Sequence, residues 1–144
     1  MAGGQVRGEP EWITAESAIQ LHDDALRQFG GLGGFPHPGY LDGALGAPIN
    51  AFLYDEDGGL DLFDLAAAYL IHIAKGHAFT DGNKRTAYLV ALVFLDVNGV
   101  HLMQPENATE LADAVVAAAE AEDLNKPDMA ALMREMASRS PRHE

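Results

Sequence analysis

No cysteine occurs anywhere in the 144 residues, so neither a disulfide framework nor a thiolate metal site can be built. That fits a reducing compartment, and a cytoplasmic protein is the expectation. Basic residues are scarce: nine Lys and Arg stand against 22 Asp and Glu, a net charge of −13. So acidic a surface repels phosphate backbones and anionic lipid, which argues against direct nucleic-acid binding and against a membrane role. Long hydrophobic runs are missing too. The longest, Ala87 to Leu95, has nine residues, far below the roughly 20 that cross a bilayer as a helix. The first ten residues hold no apolar stretch that could serve as a signal peptide. Strand signals are nearly absent, with only Val100 to Met103 suggesting a short extended piece.

What is present is ample apolar material. At 48% hydrophobic residues the chain can build a real core, and its length suits one domain. Residues 1–12 read as a flexible leader and 13–140 as a single helical domain. Thr14 is placed to cap a helix carrying Ile19, Leu21, Leu26 and Phe29, which stops at Gly30-Gly31. Gly30 to Pro38, with four glycines and two prolines, is a shaped loop. A short helix around Tyr40 to Ala47 is expected to end at Pro48. Asp61 caps a helix that runs to Lys75, with Gly76 placed to stop it. Its apolar residues sit on nearly every face, and so do those of a second helix from Asn83 to Asn98, closed by Gly99. Asn107 and Glu110 suggest a capping box for an amphipathic helix, and Pro127 suits the first turn of a last one. The expected fold is therefore all-α, a compact bundle of about six helices around two central apolar ones.

Between those two helices the chain reads Lys75-Gly-His-Ala-Phe-Thr-Asp-Gly-Asn-Lys-Arg-Thr86. Three of the nine basic residues fall in this window, and none lies between Arg27 and Lys75. An acidic chain that gathers cations in one loop is suited to hold a small anion there. Gly82, Asn83 and Lys84 lie where the second helix starts, and its unpaired N–H groups and dipole favour phosphate. Lys84 adds charge, and Arg85 adds a bidentate fork. The alternative is that both are solvated surface charges. His77 is suited to take a proton from a hydroxyl nucleophile, or else is a loop histidine bonded to backbone. Asp81 is suited to one Mg²⁺ that also binds phosphate oxygens, or else caps the following helix. Phe79 is read as a structural anchor. His72 lies inside the first central helix and reads as an interhelix residue, while His22, His37, His101 and His143 show no ligand spacing.

The stretch His77-Ala-Phe-Thr-Asp-Gly-Asn-Lys-Arg85 resembles the signature loop of the Fic/Doc family, in its death-on-curing toxin branch. Leu21-His-Asp, Phe29-Gly-Gly-Leu, Pro38-Gly39, Leu62-Phe63, Ala91-Leu-Val-Phe-Leu and Asn98-Gly99 sit at similar offsets. The resemblance implies His77 as general base, Asp81 as Mg²⁺ ligand, and Gly82, Asn83 and Arg85 on the phosphates, with Lys75 keeping a basic charge beside them. It also implies ATP as co-substrate. Adenylyl-transferring members usually carry glycine after the motif asparagine; Lys84 stands there, as in the toxin branch. That branch is similar in phosphorylating a threonine of translation elongation factor Tu, which arrests translation. Nucleotidyl transfer to a protein hydroxyl, and an idle protein-binding module, are the alternatives. Gln28 and Ala47 stand where relatives often carry arginine. Ser140 and Glu144 only approach the self-inhibitory pattern of some members, so the expected inhibitor is a separate antitoxin whose disordered tail folds on the toxin.

Overall fold

The computed structural model describes residues 8–139, which form six α-helices and, among those residues, no strand. Residues 1–7 of the expected leader lie outside the described residues, as do Ser140 and Glu144. The helices are α1 (Ala15–Phe29), α2 (Pro38–Leu53), α3 (Leu62–Gly76), α4 (Asn83–Val97), α5 (Pro105–Glu120) and α6 (Lys126–Arg139). No helix among them is long and apolar enough to cross a membrane.

The expected all-α architecture is present. α3 is the axis, buried without a break from Leu65 to Ile71, with α2, α4 and α6 packed round it. Ala66, Ala67 and Ala68 supply a stretch without bulk, so neighbouring helices can approach closely. α4 buries Ala87, Val90, Ala91, Leu92, Phe94 and Leu95 and is covered by α1 and α5. At the centre Tyr69 meets Phe94, with ring centroids 5.1 Å apart, and Trp12 stacks on the same Phe94 at 5.9 Å. The chain ahead of α1 is tied to this core. Glu11 N–H donates to the Asn98 side chain, and the Ile13 N–H donates to the buried Tyr69 hydroxyl at 3.0 Å.

Helix ends follow local chemistry where a side chain can satisfy free N–H groups. The Thr14 hydroxyl accepts from Ser17 N–H. Asp61 and Asp64 form a reciprocal capping box on α3, and Arg134 of α6 forks onto the Asp61 carboxylate at 2.9 and 3.1 Å.

Three expectations about helix ends need correction. α2 starts at Pro38 and continues past Pro48 to Leu53. Pro48 cannot donate to the Ala44 carbonyl, but it lies on the buried stripe with Leu41, Ala44 and Leu45, so packing against α3 outweighs the lost bond. α5 starts at Pro105 with Gln104 as its N-cap, which places Asn107 inside the helix and removes the Asn107–Glu110 box. Gly76 is the last residue of α3 rather than its stop; the left-handed residue that ends it is His77. Residues 100–103 form neither helix nor strand, and α6 begins one residue ahead of Pro127.

Tyr69 links the chain entry to the core, so Tyr69→Phe is expected to cost about 1–2 kcal/mol by stranding the buried Ile13 N–H. Urea unfolding measures it. Burial pushes the Tyr69 hydroxyl up to about 12 from an ordinary value of 10.0. The unfolded chain therefore ionises first, and stability present below pH 10 falls as pH rises toward 12. An absorbance titration should show one of the four tyrosines lagging the others.

Candidate active site

The loop between α3 and α4 is held by residues that bury themselves, which leaves the others free to face solvent. His77 adopts left-handed backbone geometry, φ 54° and ψ 39°, and this turn exposes its side chain at a pocket. Ala78 and Phe79 then enter the core. The Phe79 ring stacks on His22 of α1 at 3.8 Å and on Phe35 at 4.8 Å. Asn83 closes the turn: its Oδ1 accepts from Phe79 N–H at 3.1 Å and its Nδ2 donates to the Phe79 carbonyl at 2.9 Å.

Gly82, with φ 80°, is the N-cap of α4, and its carbonyl accepts the Thr86 N–H at 2.9 Å. No side-chain hydrogen bond caps this helix, and no acidic residue sits in its first turn. The opening N–H groups of α4 therefore remain for a ligand. Asp81 is not the cap. Its Oδ1 accepts from Gly82 N–H at 2.9 Å and its Oδ2 accepts from Leu32 N–H at 3.2 Å.

The Leu32 contact shows what the glycine-rich loop does. Residues 31–37 run beside the active loop, joined by Thr80 N–H to the Gly34 carbonyl at 3.1 Å and His37 N–H to the Ala78 carbonyl at 3.2 Å. Gly34 has φ 138°, and a Cβ there would fall 2.3 Å from Thr80 Oγ1, so only glycine fits this approach.

A pocket of about 340 Å³ opens over the loop, lined on one side by His77, Thr80, Asp81, Gly82, Asn83, Lys84 and Arg85. Tyr88, Ala112, Val115 and Val116 line another part of it. Polar groups and cations thus share the pocket with an apolar lining from α4 and α5, an arrangement that suits an amphiphilic anion. Lys84 is exposed, and the Arg85 guanidinium lies 4.3 Å over the Phe29 ring. The Leu32 and Gly82 N–H groups, followed by the charge of Arg85, hold the Asp81 carboxyl below its usual range. It is thus a ready anion beside the helix terminus.

The structure gathers His77, Asp81, Gly82, Asn83, Lys84 and Arg85 around one pocket and leaves Lys75 off its lining. Lys75 is exposed, and its charge acts on His72, whose pKa is pushed down by burial first and then by Lys126 and Lys75. The Asn83 side chain is committed to Phe79, so what it offers a phosphate is its backbone N–H. Among the described residues no group of three or more His, Asp or Glu side chains could form a metal cage. Asp81 alone suits a cation shared with ligand oxygens and water, the manner in which Mg²⁺ is commonly held.

Three contributors were missed from sequence. His22 sits under the loop, the Leu32 amide reaches Asp81, and Tyr88 lines the pocket. His22 could have been flagged, since it shares the buried stripe of α1 with Ala18 and Ala25. The Leu32 contact depends on backbone path and left no residue signal.

Comparison with known proteins agrees with the loop. The model of the Fic/DOC family matches residues 12–95. The chain is similar to a protein named "Protein kinase doc" from Escherichia phage P1, 42% identical over 110 residues, which covers 76% of this chain and 83% of that one. It is also similar to a protein named "Toxin Doc" from Mycolicibacterium smegmatis, 48% identical over 64 residues, 44% of this chain and 48% of that one.

Because Gly82 rather than Asp81 caps α4, Asp81→Ala is expected to leave the helical circular dichroism unchanged. The Asp81 carboxyl should titrate below 3.8 in a carbon-detected NMR experiment. The stabilisation it brings is present above that pH and is lost as pH falls through the lower folded value. A midpoint at or above 3.8 would mean that the N–H groups do not hold it.

Proposed function

The chain belongs to the Fic/Doc family, and from that premise we propose that it is a toxin of a toxin–antitoxin pair that phosphorylates a protein hydroxyl. The co-substrate is ATP with Mg²⁺, and the target is a threonine of translation elongation factor Tu. One observation carries the reading: an exposed imidazole, a helix N-terminus without a side-chain cap, and two cations face one pocket. The names of the two relatives support the kinase activity and the toxin role respectively.

Phosphoryl transfer asks a protein mainly for positioning and for neutralisation of charge. The first-turn N–H groups of α4 and the side chains of Lys84 and Arg85 receive the phosphates. His77 takes the proton of the attacking hydroxyl as its oxygen bonds to the γ-phosphorus, and the bond to the β-phosphate oxygen breaks to release ADP. Asp81 would hold Mg²⁺, which when bound draws charge from the phosphate oxygens. Tyr88, Ala112, Val115 and Val116 give the pocket an apolar lining against which the non-phosphate part of the nucleotide can pack. Inhibition by a separate antitoxin, through a disordered tail that folds on the toxin, completes the proposal.

Incubation with elongation factor Tu and ATP labelled at the γ- or the α-phosphate tests it. γ-Label is expected on the factor, and His77→Ala should reduce labelling about 10²–10⁴-fold and abolish growth arrest. α-Label would assign nucleotidyl transfer instead. No label from either position, with growth unimpaired, would leave only a protein-binding module.

A further inference from the structure

We infer that His22 is a positioning residue for this site, and that its Nε2–H clamps the Asp81 carbonyl and so fixes the peptide that opens α4. The residue lies 59 positions earlier in the chain, on α1, and is only 2% exposed. Its Nε2 is 2.7 Å from the Asp81 carbonyl oxygen. A carbonyl only accepts, so Nε2 must carry the hydrogen. The same ring stacks on Phe79 at 3.8 Å, nearly parallel at 11°. It also underlies Gly82, where a Cβ would meet its Cδ2 at 3.4 Å and its Nε2 at 3.5 Å. One side chain therefore meets the anchor and the carboxylate residue and lies beside the cap of the active loop.

The 81–82 peptide is held at both ends. Its carbonyl takes the His22 hydrogen, and its N–H goes to Asp81 Oδ1. That peptide plane precedes the first turn of α4, so its orientation sets where the Asn83 and Lys84 N–H groups point.

Stability alone does not explain a histidine there. The rest of the buried stripe of α1 is Ala18 and Ala25. Nδ1 of His22 is buried and, among the described residues, has no hydrogen-bond partner; Asp23 Oδ1 lies 3.5 Å from it, at ion-pair range only. An unpartnered buried nitrogen is costly, and an apolar ring would avoid that cost. What imidazole adds is a flat face for Phe79 and one directed donor for the loop. It touches no pocket surface and acts through Asp81 and Gly82.

The inference rests on the active-site reading above, and its test separates the two. ¹⁵N NMR of the wild-type protein should show His22 as the Nε2–H tautomer. In His22→Phe, which keeps a ring and loses the donor, hydrogen exchange of the Phe79 and Thr86 amides should accelerate. Binding of Mn²⁺ with ADP, followed by calorimetry, should weaken by about tenfold or more. His22→Gln, which restores a donor, should bind closer to the wild type than His22→Phe. An Nδ1–H tautomer, or a folded His22→Phe with wild-type exchange and affinity, overturns the inference. If His22→Phe does not fold, the tautomer and the Gln variant decide. If the wild type binds neither Mn²⁺ nor ADP, the active-site reading fails, and the tautomer and exchange still decide the clamp.

Discussion

The site depends on burying Phe79 in the middle of a loop whose neighbours must stay in water. A loop with solvated chemistry on both sides pays conformational entropy for its order, about 1–2 kcal/mol per residue, and has little burial of its own to offset that. Phe79 supplies that burial, stacked on His22 and Phe35, and Asn83 locks its backbone from both the N–H and the carbonyl side. With the middle fixed, His77 on one side and Asp81 to Arg85 on the other face one pocket, and the Leu32 N–H and the Phe29 ring steady Asp81 and Arg85 in turn. Phe79 and Asn83 are thus the mechanical half of a motif whose other half is chemical.

Charge follows from the same geometry. A chain of net charge −13 repels a triphosphate at long range. The pocket reverses that locally by three short-range means: the positive end of α4, Lys84 and Arg85. No acid in the first turn of α4 cancels them, and the Asp81 carboxylate beside it accepts from two N–H groups. The Arg85 guanidinium is steadied over Phe29 and, among the described residues, forms no ion pair, so its charge stays available to the pocket. An ion pair there would have stabilised the resting loop and neutralised what it is built to offer.

Much of this could be read from sequence because the motif and its two flanking helices are contiguous. Apolar residues on nearly every face of the helix that runs from Asp61 to Lys75, and of the one from Asn83 to Asn98, imply a central pair, and that pair fixes where the loop emerges. Errors came where local propensity met long-range packing. Pro48 read as a terminator because its cost is local, while the compensating contacts with α3 are not visible in the chain. Gly76 read as a stop because glycine favours left-handed geometry, yet His77 takes that geometry. That substitution has a consequence: the left-handed turn at 77 is what turns the imidazole out of α3 toward the pocket. His22 carries no metal-ligand spacing, and what it contributes, a bond to a backbone carbonyl 59 residues on and a face for Phe79, has no local signature.

The glycine-rich segment illustrates the same limit from the other direction. Its composition announced a shaped loop, but not which groups its shape served. Gly31 and Gly34 let the backbone come within contact of Asp81 and Thr80, where a Cβ would lie 3.0 Å from Asp81 Oδ2 and 2.3 Å from Thr80 Oγ1. That closeness is what allows Leu32 to donate to Asp81. A carboxylate oxygen has two lone pairs, so the Leu32 bond leaves Oδ2 a second one for a cation. Asp81 is therefore oriented before any ligand arrives. The glycines at 31 and 34 belong to the site as fully as the charged residues do, although they carry no functional group.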